Sequence, residues 1–169
     1  MAKPESSEYA AYFGRYIGEA PDGDILDLLK EQRGSFAGFL ATIGEERAGL
    51  RYEPGKWSVK EVVGHVVDTE RIFGCRALAI ARGEQTPLPS FEQDEYVAQA
   101  DFDSRTLASL ADEFEGLRRS HIELFGSFGD GAWTRRGVAS GNEVTVRAIA
   151  WILAGHLIHH ESVLRERYL

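Results

Sequence analysis

Apolar residues recur at three- and four-residue steps in four long stretches of this chain, a spacing that places them on one face of an α-helix. The pattern predicts four helices, over about residues 24–47, 58–83, 104–125 and 145–168. The start of the second helix is well marked, because Ser58 followed by Glu61 forms a capping box. Gly83 is placed to end the same helix.

Residues 84–103, between the second and third predicted helices, contain six acidic residues and no lysine or arginine. A connection of this length is too long for a simple helical hairpin but can cross a bundle from end to end. We therefore predict an all-α, antiparallel up-down-down-up four-helix bundle, as one domain over residues 1–169. Residues 93–99 can form a short helix within the crossover. Residues 133–143 form either a loop or a small hairpin.

Composition and charge exclude several classes of function. The net charge of −8 and the scattered basic residues disfavour binding to nucleic acid or to an anionic membrane surface. No apolar run approaches the roughly 20 residues of a membrane span. The single cysteine, Cys75, excludes a disulfide within the chain and fits a reducing compartment. With no apolar signal core at its N-terminus, the protein is expected to be cytoplasmic.

Three of the histidines are predicted to point into the bundle. His156 and His160 lie one turn apart at the middle of the apolar face of the fourth helix, and His65 lies among apolar positions of the second. His159 falls at the edge of that face. For His121, a core role with a hydrogen-bond partner is favoured over a place as fourth ligand.

The depths of these histidines in their helices also match. His65 and His160 each lie about 10–12 Å from a helix end, at 1.5 Å per residue. Antiparallel second and fourth helices would bring them to one level, near one end of the bundle. Burying three neutral imidazoles is costly unless something binds them, so His65, His156 and His160 are predicted to hold one divalent metal. Imidazole ligands suit Zn, Ni, Fe or Co, and Mn is a further candidate metal.

Two sequence blocks resemble a known family. Residues 57–68 (WSVKEVVGHVVD) and 155–161 (GHLIHHE), about 90 residues apart in the chain, are similar to the second-helix and last-helix motifs of the DinB superfamily, most closely its YfiT-like branch. The resemblance implies an up-down-down-up bundle that binds Ni or Zn through three histidines, matched here by His65, His156 and His160. It also implies a homodimer, to which Tyr12, Phe13 and Tyr16 could contribute.

Two carboxylates near His65 are candidate catalytic residues. Glu61, one turn before His65, could orient its ring, although completing the capping box is the favoured role. Asp68 and Thr69, about one turn after His65, could each contact bound water, although Asp68 could equally be a solvated surface residue.

Other candidates lie farther from His65. Arg76, about 16 Å along the same helix, could bind an anionic substrate, but an ion pair with a glutamate is favoured. Asp94 and Tyr96 in the crossover could cover the site.

Three functions fit these features. The first is a metal-dependent transferase of a low-molecular-weight thiol, the activity that the resemblance implies for relatives using mycothiol, bacillithiol or glutathione. The second is a metal-dependent hydrolase, which needs a general base such as Glu61 or Asp68. The third is a non-catalytic, stress-related metal-binding protein. The two enzymes would act on a small-molecule substrate.

Overall fold

The computed structural model describes residues 1–169 and contains the four predicted long helices with several shorter elements. The helices are α1 (Gly14–Glu19), α2 (Ile25–Ile43), α3 (Val59–Ala81), α4 (Gln93–Gln99), α5 (Leu107–Gly126), α6 (Asp130–Trp133) and α7 (Val146–Arg167). The strands are β1 (Arg136–Ala139) and β2 (Asn142–Thr145). Single 3₁₀ turns occur at Ser6–Glu8, Ala11–Phe13, Glu45–Arg47 and Phe102–Ser104.

The boundaries of the long helices follow local chemistry. The capping box at Ser58 is present: the Ser58 hydroxyl accepts from the Glu61 N–H at 3.1 Å, and the Glu61 carboxylate accepts from the Ser58 N–H at 2.6 Å. Helix α2 ends before the predicted position 47, because Gly44 has a φ of 79° and breaks the helical path. Helix α5 begins after the predicted position 104, because Thr106 is its N-cap.

Residues 133–143 contain strand β1 and the start of strand β2, which form a small hairpin. The prediction of an all-α fold is corrected in this respect. Strands β1 and β2 pair antiparallel, from Arg136 opposite Thr145 to Ala139 opposite Asn142. Ser140 and Gly141 turn the chain with φ angles of 52° and 75°, as a two-residue hairpin turn of the favoured kind requires. The crossover docks on this hairpin, because the Leu88 N–H donates to the Val138 carbonyl at 2.8 Å.

Two apolar clusters fill the bundle, and every long helix contributes to both. One contains Ile25 and Leu29 of α2, Phe73 to Ala81 of α3, Phe125 of α5 and the first half of α7 around Trp151. The other contains Phe36 to Ile43, Val59 to Val67, Leu107 to Phe114 and the second half of α7. The short helix α4, predicted at residues 93–99, adds Val97 to the second cluster. No helix is both long enough and apolar enough to cross a membrane.

A buried polar layer lies between the two clusters and links all four long helices. Arg118 of α5, fully buried, donates to the Glu70 carboxylate of α3 through Nε at 3.1 Å and Nη2 at 2.5 Å. Its Nη1 donates to Gln32 of α2, whose side chain donates to the Ala154 carbonyl of α7 at 2.9 Å. Burial alone would raise the pKa of Glu70, but Arg118 and His121 hold it below its ordinary value.

Helix α1 packs across α7 at a glycine. The backbone at Tyr16 lies so close to Gly155 that a Cβ on residue 155 would overlap the Tyr16 carbonyl oxygen. Because backbone atoms cannot rotate away as a side-chain end can, glycine is required there. Gly155 therefore sets the distance at which α1 reaches the segment of α7 that contains His156.

Replacing Gly155 by alanine should destabilise the protein by about 1–3 kcal/mol, since overpacking at a rigid contact forces the backbone to shift. The control is Gly116→Ala in α5, where a Cβ would meet nothing within 4 Å. That change should be neutral or stabilising by up to about 1 kcal/mol, from helix propensity alone. Urea unfolding followed by circular dichroism measures both. Equal stability of the two variants would contradict the close packing of α1 on α7.

Candidate metal centre

His65, His156 and His160 converge on one point between α3 and α7. The Nε2 atoms of His65 and His156 lie 3.1 Å apart, and those of His160 and His156 lie 3.0 Å apart. Each histidine contributes one ring nitrogen to the cluster, and the three nitrogens all lie within 4.8 Å of one another. The structure therefore brings together the residues that the helical spacing selected.

The surroundings of the three rings favour neutral imidazole. Burial lowers the pKa of His65 to about 4. Burial, followed by the neighbouring imidazoles, also holds the pKa values of His156 and His160 well below the ordinary range. Neutral imidazole has a free lone pair on one ring nitrogen and is the form that binds metal.

The three side chains fit a divalent metal. Two metal–nitrogen bonds of about 2.0–2.1 Å, at an angle of about 90–110°, separate their nitrogens by roughly 2.9–3.4 Å. Both short Nε2 separations, 3.0 and 3.1 Å, lie in that range. The facing atoms are all Nε2, and a shared cation would bind their lone pairs. The Nδ1 atom of His160, which takes no part in these contacts, is buried without a hydrogen-bond partner.

Aromatic rings hold the histidines in place. The Trp57 ring, just before α3, lies 5.0 Å from the His65 ring, and the Tyr16 ring meets the His156 ring edge-on at 5.4 Å, centroid to centroid. At the same end of the helix pair, the Tyr168 hydroxyl donates to the Trp57 carbonyl at 2.7 Å. The start of α3 and the end of α7 are thereby fixed to each other next to the three imidazoles.

A cleft of about 320 Å³ opens beside the centre, and His65 and His156 form part of its wall. Tyr16, Phe13 and, at the start of α4, Asp94 also line it. Asp94 lines a neighbouring depression that His160 reaches as well, so the crossover runs beside the centre. Tyr96 does not line this cleft and is 49% exposed.

The two predicted catalytic carboxylates do not lie at the cleft. Glu61 completes the cap of α3 and pairs with Arg51, which together hold its pKa low despite the opposing effect of burial. Asp68 is half-buried, which raises its pKa, and its charged neighbours are Arg71, Glu113 and Arg105. Neither residue lines the cleft.

The remaining histidines lie outside the cluster. His121 contacts Glu70 through Nδ1 at 3.0 Å, as expected for a core histidine with a partner. His159 lies 3.5 Å from the Glu19 carboxylate.

Sequence reasoning missed two contributors to the cleft. Tyr16 was considered for a dimer interface, yet it is buried within the chain against His156. Ser140, in the turn between β1 and β2, also lines the cleft. Thr69, which the sequence placed one turn after His65, does line the cleft, and its buried hydroxyl has no hydrogen-bond partner.

Comparisons with known proteins agree with this geometry. A model of the DinB superfamily matches residues 28–164 of the chain. Among solved structures, the fold is similar to YfiT from Bacillus subtilis, described as "a probable metal-dependent hydrolase with an unusual four-helix bundle topology". The two share 17% sequence identity with a TM-score of 0.76, over 97% of this chain and 90% of YfiT. No curated protein sequence matches.

The metal-free protein should lose stability as the pH falls from about 6.5 towards 4. The unfolded chain takes up protons on its histidines near pH 6.5, whereas burial holds the pKa of His65 at about 4, so the unfolded state binds more protons in this window. Urea unfolding in the presence of chelator, at pH 7 and pH 5, measures the loss. His65→Gln should reduce the difference between the two pH values, and an unchanged difference would contradict the buried, neutral state of His65.

Proposed function

Since the chain belongs to the DinB superfamily, we propose that it is a divalent-metal-dependent enzyme that transfers a low-molecular-weight thiol to a small electrophilic substrate. The convergence of three histidine nitrogens beside a cleft, with His65 and His156 in its wall, carries this proposal. Three imidazoles leave coordination positions open, and the adjoining cleft can admit a small molecule. Ni or Zn is proposed first, with Fe, Co or Mn as alternatives.

The placement of the acids favours a thiol as nucleophile. A divalent ion at this centre would supply Lewis-acid activation of a thiol or water in its open position. Water activation usually also needs a general base, but the helix cap holds Glu61 and neither Glu61 nor Asp68 lines the cleft. A thiol ionises near pH 8.5 even when free, so it needs less help from the protein. Thr69 could then orient the bound nucleophile through its unpartnered hydroxyl.

A metal-dependent hydrolase is the second candidate, and one observation favours it. Asp94 lines both the cleft beside His65 and His156 and the depression beside His160. Its exposed carboxylate could accept a proton from water. The description of YfiT as a probable metal-dependent hydrolase points the same way.

The proposal includes the up-down-down-up order of the long helices. The first cluster combines the start of α2 with the end of α3, the end of α5 and the start of α7, and the second cluster combines the opposite ends. This pairing supports α3 and α5 running parallel to each other and antiparallel to α2 and α7.

A homodimer is also proposed, on the family resemblance alone. Phe13 and Tyr16, which the sequence suggested for its interface, pack within the chain and do not support it.

Removing one histidine of the centre should abolish both metal binding and thiol transfer. His160→Ala is expected to weaken metal binding by about 100-fold or more. Losing a residue that only hydrogen-bonds to a metal ligand typically costs about 10–100-fold, and losing the ligand itself should cost more. The matched control is His159→Ala, which removes the adjacent imidazole and should retain both properties. Metal content after dialysis and conjugation of thiols to a panel of electrophiles are the readouts. Full metal content in His160→Ala would refute the centre, whereas bound metal without any thiol conjugation would refute the transferase.

Asp94→Asn separates the two candidate reactions. If Asp94 is the general base of a hydrolase, turnover of an ester panel should fall by about 10²–10⁴-fold, while metal content stays unchanged. Glu95→Gln, which changes the next carboxylate along α4 outside the cleft, should leave turnover intact. For a thiol transferase, Asp94→Asn should change conjugation by less than about tenfold, because no proton need pass to that carboxylate. Ester turnover that is absent, or equal in both variants, would exclude the hydrolase with this base.

A further inference from the structure

Arg76 lies in the wall of the same cleft, away from the imidazoles. It is 6% exposed, and it follows His65 by eleven residues on α3, about 16 Å along the helix. The side chains of His65, Thr69, Phe73 and Arg76 occupy successive turns and all face the cleft. The cleft thus extends from two histidines of the metal centre to one buried cation.

The guanidinium of Arg76 is held in a fixed position. Its Nη2 donates to the Pro89 carbonyl at 2.6 Å and to the Ser140 hydroxyl at 3.0 Å. The rings of Phe73 and Phe91 lie 4.9 and 5.7 Å from its central carbon. Nε and Nη1 make no hydrogen bond within the chain. Those free donors belong to a group that is already oriented by the protein.

Arg76 differs from Arg118, the other buried arginine, because it has no acidic partner. Arg118 pairs with Glu70, and the half-buried Arg147 pairs with Glu8. No carboxylate lies within ion-pair distance of Arg76, and burial lowers its pKa without any opposing acid. The predicted ion pair with a glutamate is therefore wrong. A buried cation without a partner is strongly destabilising, which a bound anion would relieve.

From this geometry we infer that Arg76 binds the carboxylate of a monoanionic substrate that has an apolar body. The free Nη1 of Arg76 can donate charge-assisted hydrogen bonds to a carboxylate oxygen. The walls between Arg76 and the histidines include Phe13, Phe73 and Ile152, which suit an apolar or aromatic body. Glu92 and Asp94 at the cleft would repel a dianion such as phosphate more strongly than a monoanion, which favours the carboxylate. The inference rests on the proposed function only in placing the reactive end of the substrate at the metal centre.

Binding of matched probes tests the anion site without turnover. The probes are 3-phenylpropionate, its neutral amide and phenylphosphonate, titrated calorimetrically into metal-loaded protein and into protein treated with chelator. The carboxylate should bind at least about tenfold more tightly than the amide, with or without metal, because its charge-assisted hydrogen bonds are lost in the amide. The dianionic phosphonate should bind more weakly than the carboxylate.

Variants assign the effect to Arg76. Arg76→Gln should lose the preference for the carboxylate over the amide, while Arg82→Gln, the same change at an exposed position at the end of α3, should keep it. If Arg76→Gln does not fold, the comparison of carboxylate with amide on the unmodified protein still decides. Equal binding of the two, binding of neither, or carboxylate binding that vanishes with chelator would each overturn the inference. A failed thiol assay would leave these binding results unaffected, so the two proposals can fail separately.

Discussion

Three largely buried imidazole rings, two of which lie within hydrogen-bond distance of the third, are the constraint that the rest of the structure accommodates. His156 shares close Nε2 contacts with both His65 and His160. Neutral imidazoles offer one donor each at most, and the Nδ1 atom of His160 already lacks a partner. Such a cluster would weaken the core of a bundle if nothing bound it. A divalent ion turns the same geometry into a stabilising site.

The positions of the rings depend on features that are not themselves ligands. The Arg118–Glu70 pair, with Gln32, ties the long helices together at the level where the two apolar clusters meet. A buried ion pair of this kind adds little net stability, but breaking it would be costly, so it fixes the register of the helices. Gly155 then lets α1 approach α7 closely enough for Tyr16 to cover His156.

The sequence was sufficient for features that depend on local periodicity. The four long helices, the cap at Ser58 and the choice of His65, His156 and His160 all follow from spacing along one helix face, which a single chain displays directly. The sequence did not decide between loop and hairpin at 133–143, because a four-residue strand is too short to show clear alternation. The partner of Arg118 was equally inaccessible, since Glu70 is 48 residues away and meets it only through tertiary packing.

Side-chain engagement was the other limit of sequence reasoning. Glu61 stands one turn from His65, yet the cap and Arg51 hold its carboxylate. Arg76 was expected to pair with an acid and has none, while Tyr16, considered as a contributor to a dimer surface, is buried. Each outcome depends on how separate elements pack, which periodicity does not encode. The residues that distinguish possible reactions thus emerge only from the assembled fold.

X-ray absorption spectroscopy of the metal-loaded protein tests the central claim most directly. A centre built from His65, His156 and His160 predicts three imidazole nitrogens at about 2.0–2.2 Å from zinc, with water oxygen completing the coordination shell. In His159→Ala the imidazole count should stay the same, and in His160→Ala no ordered three-imidazole site should remain. A spectrum showing fewer than two imidazoles around the bound metal, or a shell dominated by sulfur, would contradict the account.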